Sequence, residues 1–241
     1  MLREKFVHLH VHTEFSLLDG SARIKELVKA ASEMDMEAVA ITDHGVMYGV
    51  VDFYKACKEY GIKPIIGCEV YVAPRSRFQK EASKDDFQYH LVLLAENATG
   101  YQNLIKLVSK GFLEGFYYKP RIDMELLQKY SQGLIGLSAC LAGEIPQLLI
   151  HNKYDEAKET AVRFNNIFGQ DNFFLELQDH GIPDQVKVNK GLVRISRETG
   201  IPLVATNDVH YLRRKDARLH DVLLCIQTGK TVEDENRLKF E

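Results

Sequence analysis

Seven short apolar runs recur along this chain, most of them followed by a segment of helical periodicity, and that alternation constrains the fold more than any other feature. The runs cover 6–12, 38–42, 64–72, 91–95, 134–138, 173–177 and 202–206. Most are near-continuous in Val, Ile and Leu with little polar alternation, which predicts parallel strands buried on both faces. Between the first two, Ile24, Leu27, Val28, Ala31 and Met34 share one helical face, with Ser21 as the candidate cap. Further helices are predicted over 50–60 (closed by Gly61), 99–110, 123–130, 154–168, 184–199 (closed by Gly200) and 215–227. The polar stretch 74–89 reads as a loop. The expected class is α/β, a closed or nearly closed (β/α) barrel, with an open doubly wound sheet as the alternative.

A chain of 241 residues, 45% of them hydrophobic, can bury a core of that size. No apolar run approaches the roughly 18 residues of a membrane span. Met1–Lys5 is followed by a His-rich run rather than an apolar signal core. The four cysteines show no close pairing, so they read as reduced thiols of a cytoplasmic protein. The net charge of −3 lacks the basic footprint of a dedicated nucleic-acid binder. Phosphates would have to be met locally by metal ions and a few Lys or Arg, or by a basic surface elsewhere on a larger protein.

The strongest local signal is Val7-His8-Leu9-His10-Val11-His12-Thr13. On a strand, residues two apart share a face, so His8, His10 and His12 would point one way. His10 and His12 make a metal-binding pair, since neutral imidazole is a common ligand. His8, deepest in the run, reads as a hydrogen-bonded core histidine. Other runs end in ligating residues as well: Asp43-His44, Glu69, Cys140, and Asp208 with His210. The C-terminal ends of barrel strands meet on one rim, so His12, His44, Glu69, Cys140, Asp208 and His210 would converge there. Asp19 fits a helix-start or turn residue equally well, and His90 precedes its apolar run rather than following it. Histidine, carboxylate and one thiolate suit Zn²⁺, Mn²⁺ or Fe²⁺. The number of candidates suits two or three divalent ions, with Glu69 as a possible bridge. Clustered ions of this kind serve phosphate-ester hydrolysis. Carbon–nitrogen hydrolysis of the amidohydrolase type is the rival, but no lysine stands in the expected place.

The combination His10-x-His12, Asp19, Thr42-Asp43-His44, Gly67-x-Glu69, His90, Cys140 and Asn207-x-x-His210 resembles the PHP (polymerase and histidinol phosphatase) superfamily. The wording of 6–20 and of Gly115-Phe116-Tyr117-Tyr118-Lys119-Pro120-Arg121 is similar to the N-terminal PHP domains of bacterial replicative DNA polymerases. The resemblance covers essentially the whole chain. It implies a distorted seven-stranded (β/α) barrel, a single PHP domain over 1–241, and a trinuclear site. His10, His12, Glu69 and Asp208 would hold one ion, Glu69, His90 and Cys140 a second, and Asp19, His44 and His210 a third. Every position the family uses carries a ligating residue here. The resemblance also implies a fragment of a longer polymerase chain, since 237–241 carries no closing signal.

The expected activity is metal-dependent hydrolysis of DNA phosphodiesters as a 3′–5′ exonuclease, with a metal-bound hydroxide attacking the terminal phosphate. Arg121 is a candidate phosphate clamp and His180 a candidate substrate contact or acid; a surface-turn role is the alternative for each. The expected partners are a DNA 3′ end, the remaining polymerase domains, and a separate proofreading exonuclease subunit. Two other readings compete: a metal-stabilised structural module that docks that exonuclease, and a small-molecule phosphatase or pyrophosphatase.

Overall fold

The computed structural model describes residues 6–238. The readings of Met1–Lys5 and of 239–241 lie outside the described residues. Two compact units divide the chain: Met1–Ile66 with Asp208–Glu241, and Gly67–Asn207.

In the first unit, β1 (Ala38–Ile41) pairs in parallel with the start of β2 (Lys63–Val72), Ala38 opposite Lys63 and Ile41 opposite Ile66. Helix α1 (Ile24–Glu33) buries Ile24, Leu27, Val28, Ala30 and Ala31, the expected face. Its first amide is satisfied differently from the sequence reading. The Ile24 N–H donates to Glu14 Oε2 at 2.9 Å, while the Ser21 hydroxyl donates to the His210 carbonyl. Met34 falls just past the last turn and is exposed. Helix α2 (Val50–Tyr60) stops at Gly61, whose φ of 71° is the left-handed conformation that glycine adopts without strain.

The histidine-rich run 6–12 is not a continuous strand. It makes isolated parallel bridges, His8 to Val39 and Val11 to Val209. The reason lies in Thr42. Its hydroxyl oxygen accepts the Val11 N–H at 2.7 Å, taking a donor that a regular ladder would pair with a carbonyl. The run is still held on both sides, by Ala40 N–H to the His8 carbonyl and by a reciprocal pair between His10–His12 and Val209.

In the second unit the rest of β2 pairs antiparallel with β3 (Tyr89–Ala95), and β3 pairs antiparallel with β5 (Leu134–Leu137). Beyond it, β5, β6 (Phe173–Leu177) and β7 (Leu203–Ala205) are parallel neighbours, and the short β4 (Arg121–Ile122) lies on the other side of β2. The all-parallel expectation therefore fails at β3, and the sheet is mixed. A parallel neighbour needs a crossover, usually helical, whereas the polar 74–88 segment has no helical period and allows only a reversed return.

Helices α3 (Ala98–Leu113), α4 (Met124–Tyr130), α6 (Tyr154–Phe168) and α7 (Pro183–Thr199) lie where the periodicity placed them. Asn97 and Asp123 cap α3 and α4 through their side chains. One helix, α5 (Glu144–Ile150), is additional; Pro146 in its first turn disguises it in the sequence. In the first unit, a 3-10 turn (Arg214–Asp216) leads into α8 (Ala217–Thr228). No helix of the described residues is long and apolar enough to cross a membrane, and all four cysteines are free thiols.

Candidate metal centre

The first unit collects six of the nine expected ligands. His10 and His12, both fully buried, turn Nε2 toward the same atom, Asp208 Oδ1, at 3.2 Å each. Asp19 Oδ2 faces His44 Nε2 at 3.0 Å and His210 Nε2 at 3.6 Å. The His12 ring packs on both other imidazoles, on His44 at 4.0 Å and on His210 at 4.3 Å between centroids. Ligand atoms of His12, His44 and His210 lie within 4.8 Å of one another, as do those of His10, His12 and Asp208.

Hydrogen bonds behind the ligands decide which nitrogen each ring presents. Buried Asp43 accepts from the Thr13 N–H, the Thr13 hydroxyl and the Ser16 hydroxyl. Having given its only proton to Asp43, the Ser16 oxygen accepts from His12 Nδ1 at 3.0 Å and from the His44 N–H. Neutral His12 therefore carries its proton on Nδ1 and turns the Nε2 lone pair toward Asp208. A lone pair aimed at a carboxylate oxygen across 3.2 Å is repulsive until a cation lies between them. His210 Nδ1 likewise donates to the Asp208 carbonyl at 2.9 Å, leaving Nε2 for the Asp19 side. This donor set, imidazole and carboxylate brought together inside the fold, fits a divalent ion.

The charges answer to the same geometry. Burial pushes the Asp19 carboxyl up, but hydrogen bonds from His210 in its protonated form, His220 and His44 outweigh it and hold it far below the carboxylate range. Burial likewise raises Asp208, and His10, His12 and His210, when protonated, bring it far below. Burial lowers His210, and Asp19 with Asp208 reverse that to a net rise. Asp43 is raised by burial, against the pull of its Thr13 and Ser16 donors. His8, lowered by burial, meets Phe6 edge-on and belongs to none of these groups.

Local backbone makes the first cluster possible. Gly20 lets the Asp19 turn close on the histidine run: a Cβ there would lie 2.0 Å from the Thr13 carbonyl oxygen. Asp208 itself is held at φ 45°, a strained conformation of the kind found at ligand clamps.

The second unit holds the other three. Glu69 on β2, His90 on β3 and Cys140 after β5 form a triad, with His90 Nδ1 at 2.9 Å from Glu69 Oε1. The Cys140 thiol is 3.8 Å from that oxygen and 3.6 Å from that nitrogen. Glu69 pairs with Val92 across the antiparallel ladder, so His90 is its diagonal neighbour on the same face. Because β3 runs against β2 and β5, its beginning lies beside the ends of both. His90 therefore precedes its strand and still meets residues that follow theirs.

Two expected contacts take other roles. Arg121 is fully buried and gives its guanidinium donors to the carbonyls of Gly115, Asp85, Arg77 and Gln79. It organises the 74–88 segment and is closed to a phosphate, a correction to the clamp reading. His180 is exposed, but its Nε2 donates to the Asn207 carbonyl and its Nδ1 accepts from Gln185, which makes it a brace of the turn that leads to Asp208. Two residues escaped the sequence reading: Ser16, one helical turn's spacing after His12, and His220 on α8, whose Nε2 lies 3.2 Å from Asp19 Oδ1.

An α/β scaffold with a mixed sheet, bearing His–carboxylate clusters in its strand-end loops, is the class that fold and donor set define. Within it, the chain belongs to the PHP domain family, whose model matches residues 8–180. Relatives named DNA polymerase III subunit alpha are 52% identical over 99% of this chain in Borreliella burgdorferi and 51% identical over 98% in Thermus aquaticus. The chain spans 21% and 20% of their respective lengths. Among solved structures, an amidohydrolase from Chromobacterium violaceum, with bound sulfate and no metal, aligns at TM-score 0.55 and 14% identity over 85% of this chain and 87% of its own. A metal-dependent phosphoesterase candidate from Bifidobacterium adolescentis aligns at TM-score 0.53 and 15% identity, over 86% and 88%. At such identities the likeness is one of fold.

Proposed function

We propose that this chain is a metal-dependent phosphodiesterase domain of a replicative DNA polymerase, acting as a 3′–5′ exonuclease on a DNA strand. The observation that carries the reading is the convergence of His10 Nε2 and His12 Nε2 on Asp208 Oδ1 at 3.2 Å each, with His12 Nδ1 held by Ser16. His10, His12, Asp208, Asp19, His44, His210, Glu69, His90 and Cys140 are the proposed ligands of two or three divalent ions, Zn²⁺, Mn²⁺ or Fe²⁺. Such ions supply Lewis acidity and a deprotonated water near neutral pH. The chain's own part is to hold each ligand in one orientation, through Ser16 for His12 and the Asp208 carbonyl for His210.

With Arg121 enclosed, Lys119 takes over as the proposed phosphate contact. It is exposed, and among the described residues no carboxylate lies in ion-pair range of it. Its ammonium stands 5.4 Å over the Tyr71 ring, which meets His90 edge-on at 5.2 Å. Next to it, exposed Tyr118 is held at φ 57° and offers a ring on which a terminal base can stack. The names of the relatives support DNA as substrate and the remainder of a polymerase as partner.

The structural-module reading draws on the complete burial of His10 and His12, which suits ligands kept for stability. One assay separates the two. The purified chain is given a 3′-end-labelled single strand with Mn²⁺ or Zn²⁺, beside His10→Ala and Asp208→Ala. Stepwise shortening from the 3′ end that EDTA and both substitutions abolish is the expected result. Metal bound without turnover supports the module instead, and cleavage of nucleotide monoesters alone supports a small-molecule phosphatase.

A further inference from the structure

Asp19 divides its two oxygens between two sides. Oδ2 faces His44 and His210, while Oδ1 faces His220 Nε2 at 3.2 Å. His220 comes from α8, near the other end of the chain, and its side chain is 98% enclosed, with 2% relative exposure. Its ring packs near two others, 5.4 Å from His210 and 5.5 Å from Tyr211. A ring so enclosed has little room to move, and Oδ1 has its nitrogen in reach at 3.2 Å. Asp19 sits in a turn between residues of positive or tight backbone, Leu18 at φ 62° and Gly20, and no helix or strand holds it. A carboxylate on such a turn rotates unless one oxygen is tied down.

We propose that His220 is the positioning residue of the Asp19 cluster: its Nε2–H donates to Oδ1 and so presents Oδ2 to His44 and His210 as the ligating oxygen. The inference rests on the proposed metal-binding reading of Asp19. It extends that reading to a residue outside the family motif quoted above. It also gives α8 a task. Apart from Leu224 and Cys225, the helix buries only His220, so this hydrogen bond is the polar latch that joins α8 to the metal cluster. Carboxylates and imidazoles that orient a ligand from behind typically change metal affinity by about 10- to 100-fold when removed.

The test is a calorimetric titration of the whole chain with Mn²⁺ and with Zn²⁺, backed by elemental analysis, for wild type, His220→Ala and His220→Gln. Hydrogen exchange of α8 is followed with and without metal. The Gln side chain keeps an N–H donor, so it separates hydrogen bonding from ring packing. The expected result is about 10- to 100-fold weaker binding of one ion in His220→Ala, recovery to within a few-fold in His220→Gln, and metal-dependent protection of α8 that the Ala variant loses. Equal affinity in wild type and His220→Ala overturns the proposal while leaving the metal site intact. A folded His220→Gln chain as weak as His220→Ala also overturns it, even if the Ala variant does not fold. A wild-type chain that binds neither ion overturns the underlying reading as well.

Discussion

His90 and Glu69 are diagonal neighbours across the antiparallel β2–β3 pair, and His90 Nδ1 reaches Glu69 Oε1 at 2.9 Å. The Cys140 thiol, beside both, is partly open to solvent, whereas Cys57, Cys68 and Cys225 are buried. Burial pushes the Cys57 thiol up to about 12, which leaves it inert. Cys140 is therefore expected to react first with iodoacetamide in the metal-free chain, and to be protected when Zn²⁺ is added. Mass spectrometry of the labelled peptides reads this directly; equal labelling of Cys140 with and without Zn²⁺ would count against its role as a ligand.

Ser16 is expected to control His12. Ser16→Ala removes the acceptor shared by His12 Nδ1 and the His44 amide, so the His12 tautomer is no longer imposed. Metal affinity should fall by about 10- to 100-fold with little loss of folded protein. Competition with a chromogenic chelator measures it, and an unchanged dissociation constant sinks the tautomer argument.

Arg121 is expected to matter for stability rather than for substrate binding. Arg121→Ala leaves four carbonyls without their donor. Each buried acceptor so abandoned costs about 1–3 kcal/mol, so a loss of at least ~3 kcal/mol is expected. At this chain length that lowers Tm by roughly 6–12 °C. Thermal unfolding checks the figure, and a Tm within one degree of wild type would contradict the placement of the guanidinium.

Lys119 is expected to do the reverse. Lys119→Ala should leave Tm unchanged, raise KM for an oligonucleotide and flatten the salt dependence of binding by about one counterion. Anisotropy titrations of a labelled strand at several salt concentrations read the slope, and a slope equal to wild type excludes a phosphate contact.

The link between α6 and α7 predicts an acid limb. Hydrogen bonds from Lys158, then Arg194, hold the Glu198 carboxyl down at about 2, below its unfolded value of 4.5. A depressed carboxylate contributes stability that is complete above about 4.5 and is lost as pH falls through about 2. Glu198→Gln should therefore narrow the stability gap between pH 5 and pH 2, most visibly in high-salt-free buffer, because the pair is exposed and screened. Denaturation midpoints across that pH range provide the measurement.

How far the chain could be read in advance varied from residue to residue. The helices of 50–60 and 184–199 were legible to their last residue because Gly61 and Gly200 mark their stops locally. The convergence of His10 and His12 was legible because residues two apart on an extended run share a face. His90 was ambiguous because the rule applied to it, ligands follow strands, presumes parallel neighbours. Arg121 was misread because nothing in Lys119-Pro120-Arg121 tells a buried guanidinium from an exposed one. Ser16 follows His12 by four, a weak signal that could have been caught; His220 carried only its place one turn before Leu224 on the inner side of a helix.

The sequence by itself determined the residue types of the candidate metal centre, most of the helices and most of the strands, because periodicity, glycine stops and ligand spacing are local properties. Only the tertiary structure decided the direction of β3, the enclosure of Arg121 and the orientation of each imidazole. Those depend on which distant backbone or hydroxyl group takes a given proton. Asp43 settles one such choice by taking the Ser16 proton from 27 residues away, and His220 settles another at Asp19 from 201 residues away, separations that no local pattern spans.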